Sequence, residues 1–141
     1  YGPQENHKGK MASVAYHFFH QMAEKGKVSL FEGIDGYGNG EQVRDFIYVK
    51  DVANANYLAA VENVKNITMN VSTNEKTSIN ELFDTMKKYF GYKKEIHYRE
   101  PRVGDIRDSR LDNTLLKTNT SWDYKYSLDE GLKEYSEFKE I

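Results

Sequence analysis

Four side chains in this sequence have the chemistry of a site that binds a small anion and moves a proton: Lys8, His17, Arg44 and Arg107. The arginines suit an anion because a planar guanidinium offers phosphate oxygens two parallel hydrogen bonds. A lysine exchanges protons near pH 7 only where its pocket lowers its pKa. From spacing alone, an ordinary solvated lysine is the favoured interpretation of Lys8, and a surface ion pair is the favoured interpretation of either arginine taken singly.

Two other patterns resemble cofactor sites, and neither meets the requirements of one. His17 and His20 are spaced three apart, as metal ligands on a helix can be, but no third ligand with a suitable spacing accompanies them. The glycine-rich residues 36–40 are followed by Glu41 and a predicted strand, whereas a dinucleotide fingerprint leads directly into a helix. We therefore expect no metal, a loop between two strands, and His17 in a position to hydrogen-bond a ligand hydroxyl.

The elements that must position these side chains alternate between helices and strands. Apolar residues at helical spacing predict helices at residues 9–25 and 79–90, ended by Gly26 and Gly91, and a last helix that begins at the capping box of Ser127 and Glu130. Further helices are predicted at residues 52–62, capped by Asp51, and after Asp112, and strands at residues 28–32, 44–49, 67–71 and 95–98. This alternation indicates an α/β fold.

The composition excludes several classes of function. The 141 residues carry a net charge of -2, so the chain has no overall positive charge that would attract nucleic acid or an anionic membrane. Cysteine is absent, which excludes disulfides, thiol nucleophiles and zinc thiolate sites. No apolar run approaches the roughly 18 residues that a membrane span needs. We expect a soluble cytoplasmic protein.

Five motifs follow one another along the chain: YGP at residues 1–3, GEQVRDFIYVKDVA at 40–53, NVST at 70–73, RVGDIR at 102–107 and LDEGL at 128–132. Together they resemble the carboxyl-terminal half of an extended short-chain dehydrogenase/reductase of the NAD-dependent epimerase/dehydratase family. The resemblance covers nearly the whole chain. It implies a substrate-binding lobe at residues 1–43 and 73–141, and a segment at residues 44–72 that returns to the nucleotide-binding domain.

Residues 1–17, YGPQENHKGKMASVAYH, with LFEG at 30–33, are similar to the branch of that family that inverts C6'' of ADP-glycero-manno-heptose, a precursor of the lipopolysaccharide core. The resemblance implies an ADP-sugar substrate, NADP or NAD as cofactor, and a homo-oligomeric full-length enzyme. It implies that Lys8 is one of two acid/base groups and that Tyr1 contacts the cofactor. The substrate-binding residues that it implies are Lys10, His17, Phe31, Glu32, Gly33, Ile34, Arg44 and Arg107.

The chain also departs from this branch. Lys10 stands where the branch has a small serine, and residues 101–112 are closer to the 4-epimerases and dehydratases, in which an arginine at the place of Arg107 holds the diphosphate. The chain contains neither the glycine-rich cofactor fingerprint nor a convincing Tyr-x-x-x-Lys motif, so we expect it to be inactive alone. A UDP-hexose 4-epimerase, a sugar-nucleotide 4,6-dehydratase, a non-catalytic sugar-nucleotide binding module and a remnant that binds nothing stay open as alternatives.

Overall fold

The structure, a computed structural model, describes residues 1–138 and alternates helices with short strands. The helices are α1 (Val14–His20), α2 (Val49–Val61), α3 (Ile79–Phe90), α4 (Thr114–Asn119) and α5 (Leu128–Glu137). The strands are β1 (Val28–Phe31), β2 (Val43–Arg44), β3 (Thr77–Ser78) and β4 (Ile96–Arg99). A 3₁₀ segment at Asn6–Met11 precedes α1, and a π-helical turn at Gln21–Lys25 follows it. The alternation confirms the predicted α/β class.

The strands form two small sheets. β1 and β4 run parallel, so that their carboxyl ends meet at one edge, where Phe31 lies opposite Arg99. β2 and β3 run antiparallel, with Val43 opposite Ser78. The glycine-rich loop leads from one sheet to the other, as the sequence predicts.

The main core lies between α1, the β1–β4 sheet, α3 and α5. Both α3 and α5 begin at the predicted capping boxes, at Ser78 and Ser127, because these serines accept the N–H of the third helical residue. Amphipathic spacing then turns one face of each helix inward. The buried residues of this core are Ala15, Phe18, Val28, Leu30, Leu82, Phe83, Met86, Tyr92, Leu132 and Tyr135.

A second, smaller core forms around α2. Ala55, Leu116 and Trp122 are buried in it, and Met69 and Val71 pack against them. The Trp122 indole Nε1 donates to the backbone oxygen of Asp51 at 2.9 Å. Residues 47–71 are thus joined to residues 116–124 by a cluster of their own.

The first helix begins later than predicted. Gly9 has φ 53° and ψ -125°, which is not helical, and Ser13 is the N-cap of α1, accepting from the Tyr16 N–H at 3.2 Å. The predicted cap of α2 is also wrong, since Tyr48 occupies that position. Asp51 lies inside the first turn and is buried, where its carboxylate accepts the backbone N–H groups of Lys125 and Tyr126.

Two predicted strands are not strands in the structure. The pairing of β2 stops at Arg44, because the Asp45 carboxylate turns the chain by accepting N–H groups of Thr73 and Asn74, each at 2.9 Å. Residues 67–71 form no ladder within the described part of the chain, and a strand exists only where a neighbour supplies hydrogen bonds. Nowhere in residues 1–138 is a helix long and apolar enough to cross a lipid bilayer.

Candidate functional site

A cavity of about 590 Å³ opens between α1, the carboxyl ends of β1 and β4, and the loop that follows β4. The carboxyl ends of parallel strands are where α/β folds commonly bind ligands, since the chain leaves the sheet there and its loops are free to vary. The residues lining the cavity are Lys10, Ala12, Val14, His17, Phe18, Gln21, Ser29, Leu30, Phe31, Gln42, Arg44, Ile79, Arg99, Arg102 and Asp105.

The cavity lining is strongly cationic although the whole chain is slightly acidic. Lys10, Arg44, Arg99 and Arg102 contribute four positive charges, and Asp105 is the one carboxylate among the lining residues. An anion in such a concave surface with an excess of positive charge is attracted at long range and bound by charge-assisted hydrogen bonds. The chemistry of the lining therefore fits a ligand with two or more negative charges.

Arg44 is the most firmly held of these cations. Its guanidinium donates to the Val43 backbone oxygen at 2.8 Å and to Asp105 Oδ1 at 3.0 Å. Both partners of the ion pair are largely shielded, with 23% and 16% of their side chains exposed. The Asp105 carboxylate thus fixes the direction of the Arg44 fork at the cavity wall.

The structure brings together four of the substrate-binding residues predicted from the sequence: Lys10, His17, Phe31 and Arg44. It does not bring Arg107 to the cavity, because that side chain forms an exposed ion pair with Asp35. Arg107 instead contributes its backbone oxygen, which accepts the Val43 N–H at 2.8 Å.

Glu32, Gly33 and Ile34 continue the chain past the cavity without lining it. The backbone of Glu32 is held from both sides, since its N–H donates to the Arg99 oxygen and its own oxygen accepts from the Gln42 side chain. The Gly33 N–H donates to the Asn39 side chain. These contacts shape the rim of the cavity beside Phe31.

Sequence reasoning missed Arg99 and Arg102. Arg102 lies in the same irregular loop as Arg107, and residue type alone does not distinguish which arginine turns toward the site. The sequence does contain a signal for Arg99. This residue is the last of β4 and directly follows the predicted strand at residues 95–98, so its place at the carboxyl end of a strand could have been predicted.

Lys8 lies outside the cavity lining, two residues before Lys10. Its ammonium is 3.3 Å from Glu5 Oε2, with 46% of the lysine side chain exposed. Because α1 begins at Val14, five residues after the predicted start at residue 9, Lys8 lies in the 3₁₀ segment and not beside the first turn of that helix.

Glu5 is a buried carboxylate, with 4% of its surface exposed. Burial alone would raise its pKa, but hydrogen bonds from the Ser13 hydroxyl and backbone N–H, together with the Lys8 ammonium, lower the pKa of the Glu5 carboxyl overall. The 2.6 Å contact with Ser13 Oγ and the 2.8 Å contact with Ser13 N show how closely it is held.

Tyr1 is packed into the protein and does not line the cavity. Its ring lies against Phe46 and Tyr48, and its hydroxyl donates to the Leu128 backbone oxygen at 3.4 Å. Burial raises the pKa of this phenol above its ordinary value. Its predicted contact with a cofactor stays a prediction.

The residues described by the structure provide neither a metal site nor a dinucleotide site. Across the described residues, His, Cys, Asp and Glu side chains form no group of three or more that could hold a metal ion. His20 hydrogen-bonds Glu24 at 2.9 Å, while His17 faces the cavity. The glycine-rich loop joins β1 to β2 rather than entering a helix, and the Asn80 side chain fills the space beside Gly40, so these residues do not form a dinucleotide site.

The chain is similar to a known protein family and to several known enzymes. The model of the NAD dependent epimerase/dehydratase family matches residues 1–72, about half of the chain. An ADP-L-glycero-D-manno-heptose-6-epimerase of Thiobacillus denitrificans is 64% identical over 56 residues, which are 40% of this chain and 17% of that protein. The enzyme of the same name from Fusobacterium nucleatum is 34% identical over 96% of this chain and 44% of its own length.

Among solved structures, the UDP-glucose 4-epimerase of Thermotoga maritima with UDP-glucose matches with a TM-score of 0.81 and 39% identity, over 97% of this chain and 42% of that one. The chain thus spans less than half the length of the relatives it matches. The family match, the shared fold and the order of the motifs agree, and the chain belongs to the NAD dependent epimerase/dehydratase family.

Proposed function

We propose that this chain supplies the substrate-binding part of a sugar-nucleotide epimerase that depends on NADP or NAD. The observation that carries the proposal is the cavity in which Lys10, Arg44, Arg99 and Arg102 surround a single carboxylate. A nucleoside diphosphate sugar has the matching chemistry, since its two phosphates need bidentate cationic partners and its sugar needs a concave, partly apolar wall. Arg44 and Arg102 take the diphosphate in this assignment, and His17 hydrogen-bonds a sugar hydroxyl.

We propose an ADP-linked heptose as the substrate, with inversion at C6'', as a step in making lipopolysaccharide core precursors. The 64% identity over 56 residues to an ADP-heptose 6-epimerase supports this choice. Residues 1–43 and 73–141 then belong to the substrate lobe, of which the last three residues lie outside the described part, and residues 44–72 return to the nucleotide-binding domain. In this division the core around α2 lies where the two parts meet, because Ala55 of the returning segment packs with Leu116 and Trp122 of the lobe.

The chemical contribution of this chain is binding, orientation and proton transfer. Diphosphate contacts hold the nucleotide end while the sugar end is presented to acid/base groups. Lys8 Nζ exchanges a proton with the oxygen on C6'', taking it as the hydroxyl becomes a ketone or returning it as the hydroxyl re-forms. A positioned acid/base group of this kind typically contributes ~100-fold to ~10,000-fold in rate. The nicotinamide cofactor would supply the hydride chemistry, and Tyr1 is the residue of this chain that the resemblance assigns to cofactor binding.

The second candidate is a UDP-hexose 4-epimerase, favoured by the 39% identity to the Thermotoga maritima enzyme over nearly the whole chain. The same cationic cavity serves both candidates, because the diphosphate is common to ADP-sugars and UDP-sugars. The two differ in the nucleoside and sugar that the remaining wall accepts.

A chimera tests the proposal: the Fusobacterium nucleatum relative with its matching segment, 44% of its length, replaced by this chain. We expect it to epimerise ADP-heptose, and Lys8→Met to lower kcat by about 100-fold or more while the exposed Lys65→Met control does not. Turnover of UDP-glucose alone would reject the heptose substrate. A folded chimera that binds ADP-heptose in titration calorimetry but never turns it over would support a binding module instead.

A further inference from the structure

The Glu5 carboxylate joins both ends of the segment that carries Lys8. Oε1 accepts the Gly2 N–H at 3.3 Å and the Ser13 hydroxyl at 2.6 Å, while Oε2 accepts the Ser13 N–H at 2.8 Å and the Lys8 ammonium at 3.3 Å. Gly2 precedes the 3₁₀ segment, and Ser13 caps the helix that follows it. One buried side chain therefore connects the entrance, the lysine and the exit of this segment.

Glu5 takes the place that a capping-box glutamate occupies in the other amphipathic helices. In α3 the third helical residue, Glu81, reaches back to the N-cap N–H and hydroxyl of Ser78. In α1 that third position is Tyr16, which has no carboxylate. Glu5 makes the same two contacts with Ser13 from eight residues upstream. The hydrogen bonds that cap α1 therefore also hold the two ends of residues 5–13 together.

No residue of the intervening segment is itself buried. Every residue of Asn6–Met11 is exposed, and Met11 has 86% of its surface in solvent. Gly9 interrupts the 3₁₀ conformation, so the segment also lacks a continuous run of helical hydrogen bonds. Segments with few apolar contacts open easily unless polar contacts restrain them. Beside the short-range backbone bonds of Lys8 N–H to Glu5 and of Ala12 N–H to Gly9, the restraint that ties the segment to the rest of the chain is the Glu5 carboxylate.

We propose that Glu5 is a positioning residue for proton transfer at Lys8: its carboxylate holds the 3₁₀ segment, and with it the Lys8 ammonium, against the first turn of α1. The role of Lys8 as an acid/base group rests on the proposed function. The restraint of the segment rests on the geometry alone. Glu5 does not line the cavity and acts through Lys8, whose reach toward the sugar depends on where the segment is held.

The kinetic test is a double-mutant cycle in the chimera. Glu5→Gln keeps the shape of the side chain but removes its charge, and we expect kcat to fall by about tenfold or more with KM changed less than about twofold. In the Lys8→Met background the same substitution should lower kcat no further, because its route to proton transfer has been removed; any effect through Lys10, which lines the cavity from the same segment, should be on KM. An equal fractional loss in both backgrounds would overturn the proposal.

A matched control separates positioning from general damage. Glu62 holds the N–H and hydroxyl of Ser121 in the same two-point manner, far along the chain from the opening segment. Glu62→Gln removes a carboxylate that makes the same two contacts, although Glu62 is exposed, and we expect kcat to stay within about twofold of the parent. Glu5→Asp keeps the charge on a shorter stem and should restore part of the rate. If Glu5→Gln does not fold, Glu5→Asp with and without Lys8→Met provides the same cycle.

A second readout needs no turnover and uses this chain itself, in a background of Tyr57→Lys and Val61→Lys, two exposed positions of α2 at which added charge should keep the chain monomeric at the required concentration. Amide ¹⁵N relaxation of Lys8, Gly9 and Lys10 should report order parameters near 0.85 in the parent and below about 0.6 in Glu5→Gln. Glu62→Gln should leave these three amides unchanged. Unchanged order parameters in Glu5→Gln would overturn the proposal. An inactive parent chimera, or a Lys8→Met chimera with full activity, would instead reject the proposed function. The relaxation measurement would then still test whether Glu5 restrains the segment.

Discussion

The arginines around the cavity differ in what holds their side chains. Arg44 is fixed by Val43 and Asp105 in a shielded ion pair, whereas Arg107 pairs with Asp35 in an exposed one, which contributes little in water. Arg102 lines the cavity in the same loop as Arg107. Position relative to the cavity, and not charge alone, decides which arginine meets a bound anion.

Replacing Arg102 should therefore weaken anion binding while replacing Arg107 should not. We expect Arg102→Ala to raise the Kd for ADP by about tenfold or more, the usual loss for a charge-assisted hydrogen bond, and Arg107→Ala to change it by less than about twofold. Isothermal titration calorimetry at low and moderate salt measures both, since the effect should shrink as ions screen the cavity. Equal losses from the two variants would show that the cavity is not the anion site.

The buried carboxylate of Glu5 gives stability a defined dependence on pH. Its pKa is lower in the folded chain than its ordinary value of 4.5, so the ionised form is favoured by folding. The contribution is complete above about pH 4.5 and is lost as pH falls through the lower, folded pKa. We expect Glu5→Gln to cost about 1–3 kcal/mol of unfolding free energy at pH 7 and much less near pH 3. Urea denaturation at both pH values measures the difference, and an equal cost at both would contradict the prediction.

At the scale of elements, local capping signals were predictable and contacts from distant residues were not. Ser78 and Ser127 each have a glutamate three residues later, so the starts of α3 and α5 are visible in the sequence. The cap of α1 draws its carboxylate from Glu5, which lies upstream across an exposed segment. The predicted helix therefore started too early, at residue 9, because the prediction rested on helical periodicity alone.

The difference between local signals and contacts from distant residues also explains which residues of the site were predictable. Lys10, His17, Phe31 and Arg44 were identified through resemblance and do line the cavity. No pattern in residues 101–107 indicates which way each side chain points, because irregular loops have no period from which a face is inferred. Likewise, residues 67–71 can form a strand only beside a second strand that supplies hydrogen bonds, and the sequence of the segment alone does not show whether such a partner is present.

The loop between the two sheets contains a glycine whose replacement should damage packing as well as backbone conformation. Gly40 has φ 71°, and a Cβ there would collide with the Asn80 carboxamide and approach Leu30. Gly36 has φ 89° with nothing within 4 Å of the added atom, so it is a matched control for the backbone cost alone. We expect Gly36→Ala to cost about 1 kcal/mol of unfolding free energy and Gly40→Ala about 1–3 kcal/mol more. Thermal and urea unfolding measure both; similar costs would mean that the Asn80 contact is not constraining.

At the scale of the whole chain, α2 is apolar on two sides. Its buried side meets Leu116 and Trp122, but Val49, Tyr57 and Val61, spaced at four- and eight-residue intervals, lie on one exposed stripe. Tyr57 has 64% and Val61 56% of its surface exposed. A helix with apolar residues on two sides normally packs against a neighbour on each of them. This stripe therefore fits a helix that packs against the nucleotide-binding part in the proposed enzyme.

The exposed stripe predicts how this chain behaves without such a partner. Contiguous apolar surface is removed from water when copies associate, so we expect concentration-dependent self-association at about 10–100 µM in sedimentation velocity. Tyr57→Lys with Val61→Lys places two like charges on the stripe and should leave monomers. Val103→Lys is the control, because Val103 is 98% exposed in the loop after β4 and away from α2. If the control disperses the chain as well as the double variant does, or if the parent is monomeric throughout, the stripe is not a contact surface. Association that is lost only in the α2 variant, and that is also suppressed in the chimera, would identify the stripe as the surface that the nucleotide-binding part covers.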